Sequence, residues 1–171
     1  MKSDELRAIQ APLKQRYREE PEAALITLRA EGRLGEGITC SVQTGKALVE
    51  AGLHPATGGS GLLACSGDML LEALAACAGV TLLSVATAIG VEVRDGTVRA
   101  EGQLDFRGTL SVAADVPVGF QRIALHFDLE TDASDEQLAT LIRLTERYCV
   151  VYQTLRTSPA VTASLSRYAS R

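Results

Sequence analysis

The chain has 171 residues, 46% of them hydrophobic, with a formal net charge of −4, which predicts one domain with a real core plus at most a short extension. That charge, and the lack of a clustered Lys/Arg face, argue against a nucleic-acid partner. The opening Met1-Lys2-Ser3-Asp4-Glu5-Leu6 has no apolar run of the secretory kind, so a cytoplasmic address with reduced thiols is expected.

Residues 3 to 19 carry Leu6, Ile9, Leu13 and Tyr17 at helical spacing among charged residues, predicting an amphipathic helix that ends near Pro21. Residues 1–22 are therefore read as an N-terminal helical extension and 23–171 as the main domain. From Ala24 the period becomes two: Ala24, Ile26, Leu28 and Ala30 alternate with mostly polar neighbours, predicting a half-buried strand. Glycines at 32, 35 and 37 predict a turn with Arg33 at its tip, and Ile38, Cys40 and Val42 restart the alternation as the return strand of a hairpin. Lys46 to Glu50 is a candidate third strand. Residues 51 to 61, rich in glycine, read as a loop. No Gly-Lys-Ser/Thr ending follows them, so they do not read as a phosphate cradle.

Residues 65 to 89 predict one long helix, begun by Ser66 or Asp68 as N-cap and stopped by Gly90. Apolar residues all round it predict burial on every side. Ala73, Ala75, Ala76, Ala78 and Gly79 make it thin, and Cys77 sits in its middle. Residues 73 to 91 are uncharged and long enough to span a bilayer, but lack basic flanks and an aromatic belt. Burial at the centre of a soluble oligomer, not a membrane span, is the expectation.

Two alternating runs follow, Val98 to Phe106 and Phe120 to Glu130, joined by a connection over 108–119, and should pair as an antiparallel ribbon. Ser134-Asp135-Glu136-Gln137 forms a capping box that starts a second helix. On it Leu138, Leu141, Ile142, Thr145 and Cys149 share one face. Ala160 to Leu165 is expected as a last strand. The order of elements is α+β with segregated helices.

Four cysteines are present, Cys40, Cys65, Cys77 and Cys149, with no Cys-x-x-Cys pair. His54 and His126 bear no helical or hairpin relation to a thiol, so a zinc site and a Cys-His nucleophile are both disfavoured, and both histidines read as surface residues. Cys40 reads as a small buried hydrophobe and Cys65 as a loop-lining thiol at a helix start. Cys77 and Cys149 both fall on buried helix faces, where inert packing is the ordinary role of a free cysteine.

The surroundings of those two thiols resemble the OsmC/Ohr family, the osmotically inducible and organic hydroperoxide resistance proteins. Leu70-Leu71-Glu72-Ala73-Leu74-Ala75-Ala76-Cys77 resembles the family's first cysteine helix. Tyr148-Cys149-Val150-Val151-Tyr152-Gln153-Thr154-Leu155 resembles its second cysteine run, and Pro117-Val118-Gly119-Phe120 its lead into the strand before that helix. The likeness covers about residues 24 to 166. It implies antiparallel sheets around two long central helices in an intertwined homodimer, here with an extra N-terminal helix.

It also implies an antioxidant, thiol-dependent peroxidase of the oxidative stress response. Cys77 would attack a hydroperoxide, Cys149 would resolve the sulfenic acid to a disulfide, and an external dithiol would reduce it, with no cofactor or metal. Arg33, with Arg29 as fallback, would hold the Cys77 thiolate ionised. The pattern departs where the family places a glutamate, a position occupied by Gly67 with Asp68 beside it; Asp68 or Glu72 would substitute. It departs again at Val150, where proline is common. The alternative within the same fold is a non-catalytic redox sensor or small-molecule binder.

Overall fold

The computed structural model describes residues 3–34, 40–42 and 51–167, and the side chains of 8–27, 34 and 51–167. Helix α1 (Ser3–Glu19) precedes a single turn of 3-10 helix, and strands β1 (Leu25–Leu34) and β2 (Cys40–Val42) follow. Helix α2 (Ser66–Ile89), strand β3 (Asp95–Asp105), the short helix α3 (Phe106–Thr109) and strand β4 (Arg122–Glu130) come next, then helices α4 (Asp135–Tyr148) and α5 (Val150–Arg156). The fold is α+β. Its four described strands form one antiparallel sheet in the order β2-β1-β3-β4.

The β3–β4 ribbon pairs from Asp95↔Glu130 to Gln103↔Arg122. Ile123, Leu125, Phe127 and Leu129 pack against the core, while Arg122, His126, Asp128 and Glu130 are exposed, as the period-two pattern predicts. Gly102 faces inward and leaves room for the Phe120 ring. A Cβ there would fall 2.3 Å from Phe120 Cε1.

Helix α2 lies across the sheet against β1 and β3, with α4 and α5 packed on it. Its Leu71, Leu74, Ala75, Ala78 and Leu82 are at most 1% exposed and centre the main core with Val98, Ala100 and Leu141. Gly90 ends it in a left-handed conformation, φ 73°, as a glycine stop requires. Among the described residues α2 alone is long and apolar enough to cross a membrane, yet its inward face is the core of this fold.

Several expectations need correcting. The N-cap of α2 is Cys65, with no side-chain cap bond, and not Ser66 or Asp68. Within the single chain α2 is not buried all round: Met69, Leu70, Ala73, Val80, Ser84 and Thr87 form an exposed stripe along one side. Arg33 is not at a hairpin tip. Its backbone pairs with Ser41 on one side and Thr97 on the other, because β1 runs on through Gly32 to Leu34.

The helix expected to run through Cys149 breaks there, into α4 and α5. Residues 160–165 form no strand and are exposed, pairing with none of the described strands. His54 is half-buried, its ring stacked on Phe106 at 5.0 Å with Nδ1 accepting from the Ala56 N–H. The Lys46–Glu50 strand lies outside the described residues.

A second, smaller core anchors α1. Tyr17, 2% exposed, packs with Ala24, Phe106 and Leu110, and its hydroxyl donates to the Ala56 carbonyl at 2.7 Å.

Candidate active site

Ser134 accepts from the Gln137 N–H while the Gln137 side chain accepts from the Ser134 N–H, so α4 starts in a full capping box. It then carries Leu141, Thr145 and Cys149 as a fully buried row. At Cys149 the backbone turns extended (φ −70°, ψ 109°), and the sulfur becomes the N-cap of α5, accepting from the Tyr152 N–H at 3.5 Å. Cys149 thus closes one helix and opens the next. The first-turn N–H groups of α5, which no intrahelical carbonyl uses, are free to face a neighbouring atom.

That atom is the sulfur of Cys77. Burial raises the Cys77 thiol, but the nearby Val151 N–H, Cys149 thiol, Val150 N–H and Thr81 hydroxyl favour its charged form and together bring its pKa below the ordinary thiol value. Cys149 behaves oppositely. Burial, then its bond to Cys77 and the nearby charge, push its thiol up to about 11 despite the Tyr152 and Val151 N–H groups. Cys77 is half-buried and Cys149 is 0% exposed. The half-buried sulfur ionises more readily than an ordinary thiol, its enclosed neighbour less readily.

Cys65 stands at the start of α2, about 18 Å from Cys77 along the axis at 1.5 Å per residue. A bond between them within one chain is out of reach. Cys40 lies on β2 and Arg29 and Arg33 on β1, and the side chains of all three are outside those described. β1, which carries both arginines, packs directly on α2. Asp68 and Glu72 are half-buried; burial raises both carboxyls, Asp68 being partly offset by His54 and Glu72 raised further by Asp68. The first turns of α2 therefore hold acids, and His54 is the cationic influence on Asp68.

Thr81, Val150 and Val151 escaped the sequence reading. For Thr81 a signal existed: it lies one turn after Cys77, where a hydroxyl meets the thiol's face. The two N–H groups carry no sequence signal beyond the absence of proline at 150 and 151. Leu74, Phe120, Leu125 and Tyr152, together with Arg122 and Arg156, line a cavity of about 310 Å³.

The α+β fold, with Cys77 on one helix and Cys149 at the junction of two others packed on it, sets the class. Within it, this chain belongs to the OsmC-like protein family, whose profile matches residues 59–164, more than half its length. An OsmC-like hydroperoxide resistance protein from Jannaschia sp. CCS1 has a similar structure, with a TM-score of 0.61 and 16% identity over 84% of this chain and 95% of that one. An OsmC-like protein from Mycoplasma pneumoniae gives 0.55 and 17% over 78% and 86%. At these identities the likeness is one of fold. No curated protein sequence matches the chain.

Proposed function

We propose that the protein is a thiol-dependent peroxidase that reduces organic hydroperoxides. The observation that carries this reading is the asymmetric thiol pair: Cys77 is half-buried with its pKa drawn below the ordinary thiol value, and beside it Cys149 is fully buried with its pKa pushed up to about 11. Similarity to a hydroperoxide resistance protein of the same fold supports it.

In the first step the Cys77 thiolate attacks the distal oxygen of the hydroperoxide. The O–O bond breaks, the alkoxide takes a proton and leaves as the alcohol, and Cys77 becomes a sulfenic acid. Cys149 then attacks that sulfur, a disulfide forms and water leaves. An external dithiol reduces the disulfide and completes the cycle. The α5 N–H groups stabilise the nucleophile, while the alkoxide needs a cation. Arg33, on the strand packed against α2, is assigned that role, with Arg29 as the alternative.

The working form is a homodimer in the cytoplasm, where reductants keep both thiols available. The exposed stripe of α2 supports the dimer: Met69, Leu70, Ala73 and Val80 form an apolar band beside Cys77 that a second copy covers.

Cys77→Ser is expected to abolish reduction of cumene hydroperoxide by protein plus dithiothreitol, and Arg33→Ala to slow it without changing the fold. Equal peroxide decay by wild type and Cys77→Ser rules the enzyme out. The cavity beside Tyr152, lined by apolar residues together with Arg122 and Arg156, favours a second reading in that case, a binder of small amphipathic anions.

A further inference from the structure

Thr145 is 1% exposed, and its hydroxyl has no hydrogen-bond partner. A buried hydroxyl gives up hydration with nothing in return, and native proteins seldom keep one idle. Threonine inside a helix ordinarily turns its hydroxyl onto the carbonyl one turn back, as Thr87 does toward Leu83 at 2.8 Å. Thr145 does not.

Its position is one turn before Cys149, whose N–H donates to the Thr145 carbonyl at 2.9 Å. Residues four apart on a helix share a face, with Cβ atoms about 5–6 Å from each other. In the reduced protein the Cys149 sulfur takes the Tyr152 N–H instead, so the Thr145 hydroxyl is left unengaged. The unspent donor and the enclosed sulfur are neighbours in one buried row.

We propose that the Thr145 hydroxyl is held for the resolving step, donating a hydrogen bond to the Cys149 sulfur as it turns into a thiolate and attacks the Cys77 sulfenic acid. This rests on the peroxidase reading above. In the reduced protein the Cys149 thiol is engaged with the Cys77 sulfur, an anionic acceptor that disappears once Cys77 carries oxygen. Burial then opposes the new charge on Cys149, and a fixed donor one turn away offsets that cost without admitting water. In the step, Cys149 supplies the electron pair for the S–S bond and the S–O bond of the sulfenic acid breaks. Hydroxide leaves with the proton from Cys149 as water. Thr145 keeps its own proton throughout.

The test compares full-length wild type, Thr145→Val and Thr145→Ser, each mixed with one equivalent of cumene hydroperoxide. Rapid quenching with dimedone and with a thiol alkylator counts sulfenic acid and disulfide over time. Cys77 oxidation should run at the wild-type rate in all three. Disulfide formation should be about tenfold slower in Thr145→Val, the worth of one hydrogen bond to a charged group, and return to within about twofold of wild type in Thr145→Ser. Thr145→Val should also melt above wild type, because the isosteric methyl removes an unpartnered hydroxyl.

Disulfide formation at the wild-type rate in Thr145→Val overturns the proposal. So do equal slowing of both steps with a lower melting temperature, which is the signature of lost packing, and failure of serine to rescue. If wild-type Cys77 never forms a sulfenic acid, the peroxidase reading itself fails, and this proposal with it.

Discussion

The start and the middle of one helix offer the clearest comparison in this molecule. Cys65 caps the N-terminus of α2, the position where a helix dipole is supposed to awaken a thiol, yet its neighbours on that end are Asp68 and Glu72. Cys77 sits mid-helix, where the dipole of α2 offers nothing, and the Val150 and Val151 N–H groups that begin α5 reach its sulfur. A thiol is made reactive by what a second element aims at it, not by its address on its own helix.

The strongest way to break that comparison is to exchange the two cysteines for serine in turn. Cys77→Ser should reduce peroxide turnover to background, whereas Cys65→Ser should stay within about twofold of wild type, since a substitution remote from the reacting groups has little to remove. Comparable losses would mean that the start and the middle of α2 act together.

Removing the supporting core is the next largest perturbation. Leu82→Ala, at a 0% exposed position of α2, should cost about 2–5 kcal/mol in denaturant unfolding. A cost near zero would place the core elsewhere.

Val150→Pro sharpens the comparison at a single donor. Proline suits the first position of a helix, so α5 should persist, but position 150 then has no N–H to give. Losing a donor to the charged form raises an acid's pKa, so the pH profile of Cys77 alkylation should move upward. Its rate at neutral pH should fall by about tenfold at most. An unmoved profile would leave the Val150 N–H with no part in holding the thiolate.

The same titration separates the two sulfurs in the wild type. Iodoacetamide should modify Cys77 below the pH typical of thiols, because its donors favour the charged form. Cys149 should resist until pH approaches about 11, because burial and its bond to Cys77 favour the protonated form. Asp68→Asn, at the start of α2, is expected to give the smallest effect, leaving the Cys77 profile unmoved.

What could be read in advance followed from local chemistry. The Ser134–Gln137 capping box, the Gly90 stop and the alternation from Ile123 to Leu129 are short-range patterns, and all three stand in the structure. The sheet pairing of Arg33 was hidden because Gly32 and Gly35 look like a turn. Pairing with Val42 and Val98 on both sides carries the strand through Gly32 regardless.

The break at Cys149 was equally hidden. Neither glycine nor proline marks it; the chain turns because the Cys149 sulfur takes the Tyr152 N–H as a cap. Ala160–Leu165 alternates as a strand should, but a strand exists only beside another edge. The thiol pair itself was legible through its flanking residues, while the donors that tune it are backbone groups from a helix whose start no residue type announces.

The most direct test of the account is peptide mapping by mass spectrometry after one equivalent of cumene hydroperoxide under non-reducing conditions. A disulfide joining Cys77 to Cys149, with Cys65 still free, is the predicted outcome. A bridge from Cys65 to Cys77, or four free thiols with peroxide unconsumed, would contradict it.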